Sequence, residues 1–227
     1  MNNNTSYSFT HPGHIRMTNE DAYFSNDNSG LWIVCDGMGG HQEGNFASHL
    51  VTDIFEQVKL KGTFKQNIET INSQFYNIHR ILQKKVAKLG INATIGTTLV
   101  LLLIEKDQAA IMHSGDSRCY LVRDNILSLV TKDHAHSINN ENGTRKVLTK
   151  ALSAPGKLSI EINRFQIQKN DIYLLCSDGF YDNLDNNIIE HGMQMNSLEE
   201  SINFMSSKVL ETKADDNLTA TLVKVKS

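Results

Sequence analysis

The spacing of apolar residues changes twice along the chain and lays out the elements. Near the start, AYFS (22–25) and LWIVC (31–35) read as two short strands joined by the turn-rich NDNSG. From Gly44 to Leu60, the residues Phe46, Ala47, Leu50, Val51, Ile54, Phe55 and Val58 recur at helical spacing. A second helix is predicted over about 64–89, carried by Ile68, Ile71, Phe75, Ile78, Leu82 and Val86 and stopped at Gly90. Beyond it the period shortens. TTLVLLLI, AAIMHS, SRCYLV and ILSLV are successive strand-like runs, and EKDQ, GD and RDN between them predict an antiparallel meander. HSINNENGTRK (136–146) reads as a polar loop, LSIEINRFQIQ alternates, and DIYLLCS is a buried strand. A helix over about Ser197–Thr212 precedes the closing strand LTATLVKV. This order predicts an α+β layered fold with antiparallel sheets rather than a βαβ arrangement.

Composition narrows the classes. The 227 residues contain two prolines and no Ser/Gly tract or charge block, so a single domain over residues 1–227 is expected. A chain 40% hydrophobic and 21% charged is neither disordered nor fibrous. The net charge of −3 gives no basic excess for a phosphate backbone, so nucleic acid is not an expected partner. The longest apolar run, Leu99 to Ile104, is too short to span a bilayer, and MNNNTSYSFT lacks the features of a secretory signal. No membrane association is expected. Cys35, Cys119 and Cys176 lie apart in apolar runs and make neither a disulfide framework nor a thiolate zinc site. They read as buried strand residues in a reducing cytoplasm.

The chemistry sits where apolar strands meet aspartates. LWIVC stops at Asp36-Gly37, AIMHSG at Asp116 and YLLCS at Asp178-Gly179, while Asp215-Asp216-Asn217 leads into LTATLV. Glu20-Asp21 likewise leads into AYFS. One Asp-Gly after a strand is ordinarily a hairpin turn. Here Asp36-Gly37 is followed by MGGHQEGNFASHLV and a helix, and Asp178-Gly179 by the helix-like FYDNLDNN, so neither closes a hairpin. Carboxylates gathered at strand ends repel one another and stay ionised only beside cations. All-oxygen donors select Mg²⁺ or Mn²⁺. So acidic a cluster suits two ions about 3.5–4 Å apart, which would activate a shared water for hydrolysis of a phosphate ester. Arg16, four residues before Glu20, offers the paired donors that a phosphate accepts.

RMTNED (16–21), VCDGMGGHQEGNFAS (34–48), GTTLVLLLI (96–104), HSGDSRCYLV (113–122), LTKAL (148–152), LLCSDGF (174–180) and DDNLTATLV (215–223) together resemble the protein phosphatase 2C family, and most of all its short bacterial members. These are metal-dependent serine/threonine protein phosphatases. The resemblance runs collinearly through nearly the whole chain. It implies a four-layer α-β-β-α sandwich, two antiparallel sheets flanked by helix pairs. It also implies that Asp36 bridges two metals, that the Gly37 carbonyl binds the second, and that Asp178 and Asp216 hold the first. Glu20 would reach the second metal through water, with Asp21 close behind orienting ligands, and Arg16 would clamp the phosphate. Asp116 and Asp178 would share a third, weaker metal. The hydroxide between the two tight Mn²⁺ or Mg²⁺ ions would attack phosphorus in line, without a phosphoenzyme. The partners would be phosphorylated proteins, substrates of a bacterial serine/threonine kinase. THPGHIRMTNED and GLWIVCDGMGGH look like phosphatases encoded beside secretion machinery.

Two departures stand out. Met38 replaces the histidine that many eukaryotic members carry after Asp-Gly as a general acid, and His41 is nearby in sequence. Between TKDHAHS and VLTKAL only INNENGTRK stands where the family inserts a longer flap, which implies a truncated flap and an open rim. Two rival readings are an inactive binding module of the same fold, which would lack a metal ligand, and a two-metal phosphodiesterase or nuclease, which would carry a basic aromatic surface. No ligand is missing, and no such surface is evident. His134 and His136 have strand-face spacing but read as loop residues, His11 and His14 flank the turn at Pro12-Gly13, and His113 is expected at a strand end.

Overall fold

A computed structural model describes residues 4–40, 42–90, 93–140 and 143–226. In chain order the elements are β1 (Thr5–His11), β2 (Asp21–Asn26), β3 (Leu31–Met38), α1 (Gln42–Gln57), α2 (Phe64–Leu89), β4 (Gly96–Thr97), β5 (Leu99–Glu105) and β6 (Gln108–Ser114). They continue as β7 (Arg118–Arg123), β8 (Ile126–Leu129), β9 (Ala135–Asn140), β10 (Gly143–Leu148), β11 (Glu161–Gln166), β12 (Ile172–Cys176), α3 (Asp178–Tyr181), α4 (Asn186–Met193), α5 (Leu198–Leu210) and β13 (Leu218–Lys224).

Two antiparallel sheets form, one in the order β1-β13-β12-β7-β8 and the other β11-β6-β5-β3-β2, with β4 also paired to β3. Three apolar layers hold the stack. Leu31, Ile33, Cys35, Leu101 and Leu103 face α1 and α2. Trp32, Val34, Val100, Leu102, Tyr173, Leu175 and Val223 fill the space between the sheets. Leu174, Cys176, Ala220 and Leu222 meet α3, α4 and α5. The expected α-β-β-α sandwich is therefore present, and strict alternation along each strand builds it, since neighbouring residues serve different layers.

The helices follow from their patterns. α1 buries Gly44, Ala47, Ser48, Val51, Thr52 and Phe55, a single stripe. α2 starts at a capping box in which Thr63 and Gln66 satisfy each other's backbone donors. It then seats Ile68, Ile71, Phe75, Ile78 and Leu82, each worth about 1.5–3 kcal/mol when fully buried. α5 begins at Ser197, whose hydroxyl accepts from the Glu200 amide. Cys35, Cys119 and Cys176 are buried free thiols, as expected. No helix among the described residues is long and apolar enough to cross a membrane.

Two expectations are corrected. The meander breaks after β6: β5 and β6 pair in one sheet, whereas β7 pairs with β8 and β12 in the other. The GD turn is therefore a crossing between sheets, with Gly115 at φ +114° and packed so close to Thr98 that a side chain would collide. The described residues of the polar stretch 136–146 are not a loop; β9 and β10 pair as a two-stranded antiparallel ribbon, with Lys146 opposite Ser137 and Val147 opposite His136. A ribbon outside both sheets has no buried face to impose apolar alternation, so its sequence carries no strand period.

Candidate active site

The layer between the sheets is apolar through its middle and turns polar at one end. On β3 the inward residues run Trp32, Val34, Asp36; from β12 they run Tyr173, Leu175, Ser177; on β13 they run Val223, Thr221, Thr219. Asp21 stands opposite Asp36 in the β2–β3 ladder. Asp36 and, opposite it, Asp21 keep this inward parity, whereas Asp178, Asp216 and Asp116 lie just beyond the ends of β12, β13 and β6 at the same mouth.

Their charges act on one another. Burial first, then the Asp21, Asp178, Asp216 and Asp116 carboxylates, push Asp36 well above the ordinary aspartate range. Burial, with Asp116 and Asp216, raises Asp178 to about 6. Asp21 rises to about 7 through burial, despite hydrogen bonds from Ser177 and Thr219, with Asp178 and Asp216 adding repulsion. Ser177 Oγ donates to Asp21 Oδ2 at 2.7 Å. Among the described residues, the buried Asp21 Oδ1 has no hydrogen-bond partner. Asp36 is held from behind: its carbonyl accepts from the Thr98 amide (2.9 Å) and Thr97 Oγ1 (2.9 Å), and its own amide donates to Thr98 Oγ1 (3.1 Å).

The segment from Pro12 to Glu20 is fastened over this mouth by Asn217. Its amide nitrogen donates to the Pro12 carbonyl (2.9 Å) and the Thr18 carbonyl (3.1 Å), and its Oδ1 accepts from the Glu20 amide (2.8 Å). His14 N–H donates to the Ala214 carbonyl at 2.7 Å. The Glu20 carbonyl in turn accepts from Gly37 N–H (3.1 Å). Gly37 and Gly44 leave room for Glu20: a side chain at Gly37 would strike the Gly44 backbone, and one at Gly44 would collide with Glu20 Oε2. Arg16 reaches Asp216 at 3.0 Å, with both side chains nearly half exposed. His11 and His14 belong to the turn, His11 Nδ1 accepting from Gly13 N–H at 3.0 Å.

Asp116 joins the cluster from the opposite sheet junction and is buried. Its Oδ2 lies 2.7 Å from Lys146 Nζ. Burial opposes the Lys146 charge, but the hydrogen bond to Asp116, with Asp182 and Asp178 nearby, holds the ammonium above its ordinary value. Tyr181 Oη accepts from Lys146 (2.8 Å) and donates to the Asp116 carbonyl (3.0 Å). Arg118 lies 3.7 Å over the Tyr181 ring and forks onto Asp133 at 3.0 and 2.9 Å.

The spaced histidines part company: His136 is exposed, whereas buried His134 joins His113 and Glu161 in a cluster whose ligand atoms lie within 4.8 Å of one another. The two rings stack at 4.7 Å with planes 7° apart, so an ion in the plane of one lies outside the plane of the other. His134 also uses both nitrogens, on Gly115 N–H (3.3 Å) and Glu161 (3.2 Å). This cluster buttresses the Gly115 turn.

All the acids and Arg16 predicted from sequence thus border one mouth. Sequence reasoning passed over Ser177, Thr98 and Lys146; for Ser177 and Thr98 the inward parity beside Asp178 and after Thr97 was the available signal. Met38 ends β3 against Gly96 and carries no proton to donate. His41 lies outside the described residues.

Residues 13–223 match the family model for protein phosphatase 2C. A serine/threonine phosphatase stp of Listeria welshimeri is 30% identical over 236 residues, covering 95% of this chain and 93% of that protein. PppA, a key regulatory component of T6SS in Pseudomonas aeruginosa, superposes with a TM-score of 0.89 at 27% identity, over 97% of this chain and 96% of that one. The fold alone is shared with the catalytic domain of the serine threonine protein phosphatase PstP in complex with two manganese ions: TM-score 0.83, 24% identity, 99% of each chain. Motif order, sandwich architecture and full-length similarity agree, and the chain belongs to the protein phosphatase 2C family, a phosphoprotein phosphatase by descent.

Proposed function

We propose that this chain, as one catalytic domain, removes phosphate from phosphoserine and phosphothreonine in proteins and so reverses a serine/threonine kinase. Two hard divalent cations, Mn²⁺ or Mg²⁺, fit the residues present. The donors are all oxygen, they repel one another where they stand, and buried Asp21 Oδ1 lacks a partner among the described residues. Asp36 with the Gly37 carbonyl, Asp178 and Asp216 would hold the ions, with Glu20 and Asp21 orienting their water shell. When bound, the ions neutralise phosphate charge and acidify water at neutral pH.

The chain's own groups do the rest. Arg16 presents its guanidinium at the exposed side of the mouth, where an incoming phosphate exchanges for Asp216 as its partner. Thr97 and Thr98 fix the Asp36 backbone, so its carboxylate is held before substrate arrives. Ser177 fixes Asp21 across the two sheets. The buried free thiols support a reducing compartment such as the cytoplasm.

The observation that carries this reading is the convergence of Asp36, Asp178 and Asp216 on one mutually repelling cluster. An aryl phosphate and a phosphothreonine peptide should be hydrolysed with Mn²⁺ and not with EDTA, and Asp36→Asn should abolish turnover. Undiminished hydrolysis in EDTA would overturn the proposal.

A further inference from the structure

The resemblance to the family assigns Asp116 and Asp178 a third, weaker cation. A cation of the protein's own already stands there. Lys146 Nζ lies 2.7 Å from Asp116 Oδ2 and 3.9 Å from Asp133 Oδ2. It is held in place from the side by Tyr181 Oη at 2.8 Å. Tyr181 is itself fixed, by its bond to the Asp116 carbonyl and by Arg118 over its ring. The ammonium is thus an oriented, three-partnered charge and not a side chain trailing in solvent.

A divalent ion ligated by Asp116 would sit about 2.0–2.6 Å from the same carboxylate. It would then share one oxygen pair with an ammonium at contact distance. The ammonium already neutralises the Asp116 carboxylate that a weak third ion would need, so the two compete for one ligand. The lysine has the advantage of tethering: it arrives on β10 of the ribbon that stands in place of a longer flap, without the entropy loss of capturing a free ion.

We propose that Lys146 takes the place of the third cation, leaving a two-ion enzyme with a built-in monovalent charge on Asp116. The inference rests on the two-cation reading above and refines its ion count. Bound Mn²⁺ per chain, measured by equilibrium dialysis with metal analysis up to millimolar Mn²⁺, tests it without reference to turnover. The wild type should saturate at two. Lys146→Ala should gain a third, weaker ion, Lys146→Arg should stay at two, and adding Asp116→Asn to Lys146→Ala should return the count to two. Any variant that still binds the first two ions has retained its fold. A third ion in the wild type that Asp116→Asn removes would overturn the lysine assignment, as would a count of two in Lys146→Ala. No bound Mn²⁺ in the wild type would overturn both this inference and the two-cation reading.

Discussion

Asp21 and Asp36 occupy one paired position of the β2–β3 ladder, two carboxylates facing each other where a sheet ordinarily avoids like charges. With Asp178 added, the cluster binds protons more tightly folded than unfolded: about 7 for Asp21 and about 6 for Asp178, against about 4 for a free aspartate. The stability this confers is complete below pH ~4 and is lost as pH rises through 6 and 7. EDTA-treated protein should therefore melt at higher temperature at pH 5.5 than at pH 8. Saturating Mn²⁺ should remove or reverse that order, because the ions replace the protons. Equal melting temperatures in EDTA at the two pH values would contradict the repulsion.

Arg16 is tied to Asp216 by an ion pair exposed on both sides, worth about 0–1 kcal/mol to the fold. On the proposed function its value lies with the substrate. Arg16→Ala should lower kcat/KM for a phosphopeptide by roughly 10- to 150-fold, the loss of a charged hydrogen bond of about 1.5–3 kcal/mol. Arg16→Lys should recover only part, since an ammonium cannot form the fork. Thermal melting should barely move in either. Steady-state kinetics beside a melting curve separates the two effects.

The glycines around Glu20 predict a contrast. At Gly44 an added methyl meets chiefly the far end of the flexible Glu20 side chain, with the Gly37 backbone next at 3.0 Å. Gly44→Ala should therefore melt nearly as the wild type, yet need about tenfold more Mn²⁺ for half-maximal rate, the usual scale for a disturbed orienting group. At Gly37 the methyl meets backbone of Gly44 and Glu20, which has no room to yield. Gly37→Ala should cost about 1–3 kcal/mol in denaturant unfolding as well as activity.

How much of this was open to a reader of the sequence depends on whether an element carries its own signal. Asp36 and Asp178 stop buried strands without closing hairpins, so their meeting was legible from pattern alone. β1 was not: TSYSFTH has no fully buried position, and it is held as an edge strand by hydroxyl pairs such as Ser8–Thr221 (2.9 Å) and Thr10–Thr219 (2.7 Å), whose partners lie at the other end of the chain. The crossing after β6 was equally hidden, since a strand's own residues do not say which of two sheets it joins. Lys146 lay in a stretch with no apolar period, and only the folded ribbon brings it to Asp116.

The last prediction concerns the far ends of the same strands, where no chemistry is expected. Asp171, just before β12, is buried and accepts both Arg123 Nε (2.8 Å) and a second guanidinium nitrogen (2.6 Å), along with the Gln168 amide (2.8 Å) and Tyr173 Oη (3.0 Å). Removing the guanidinium leaves a buried carboxylate with two neutral donors. Truncating one partner of such a pair costs about 3–5 kcal/mol, and the remaining donors place Arg123→Ala at the lower end, about 3. For a chain of this length that is a fall of roughly 6–12 °C in melting temperature. β12 spans five residues, about 16 Å, so the site at its other end is undisturbed. Below the new transition, kcat and KM should match the wild type. A loss of activity as large as that of Arg16→Ala, in protein still folded by circular dichroism, would show that the two ends of the sheet are coupled.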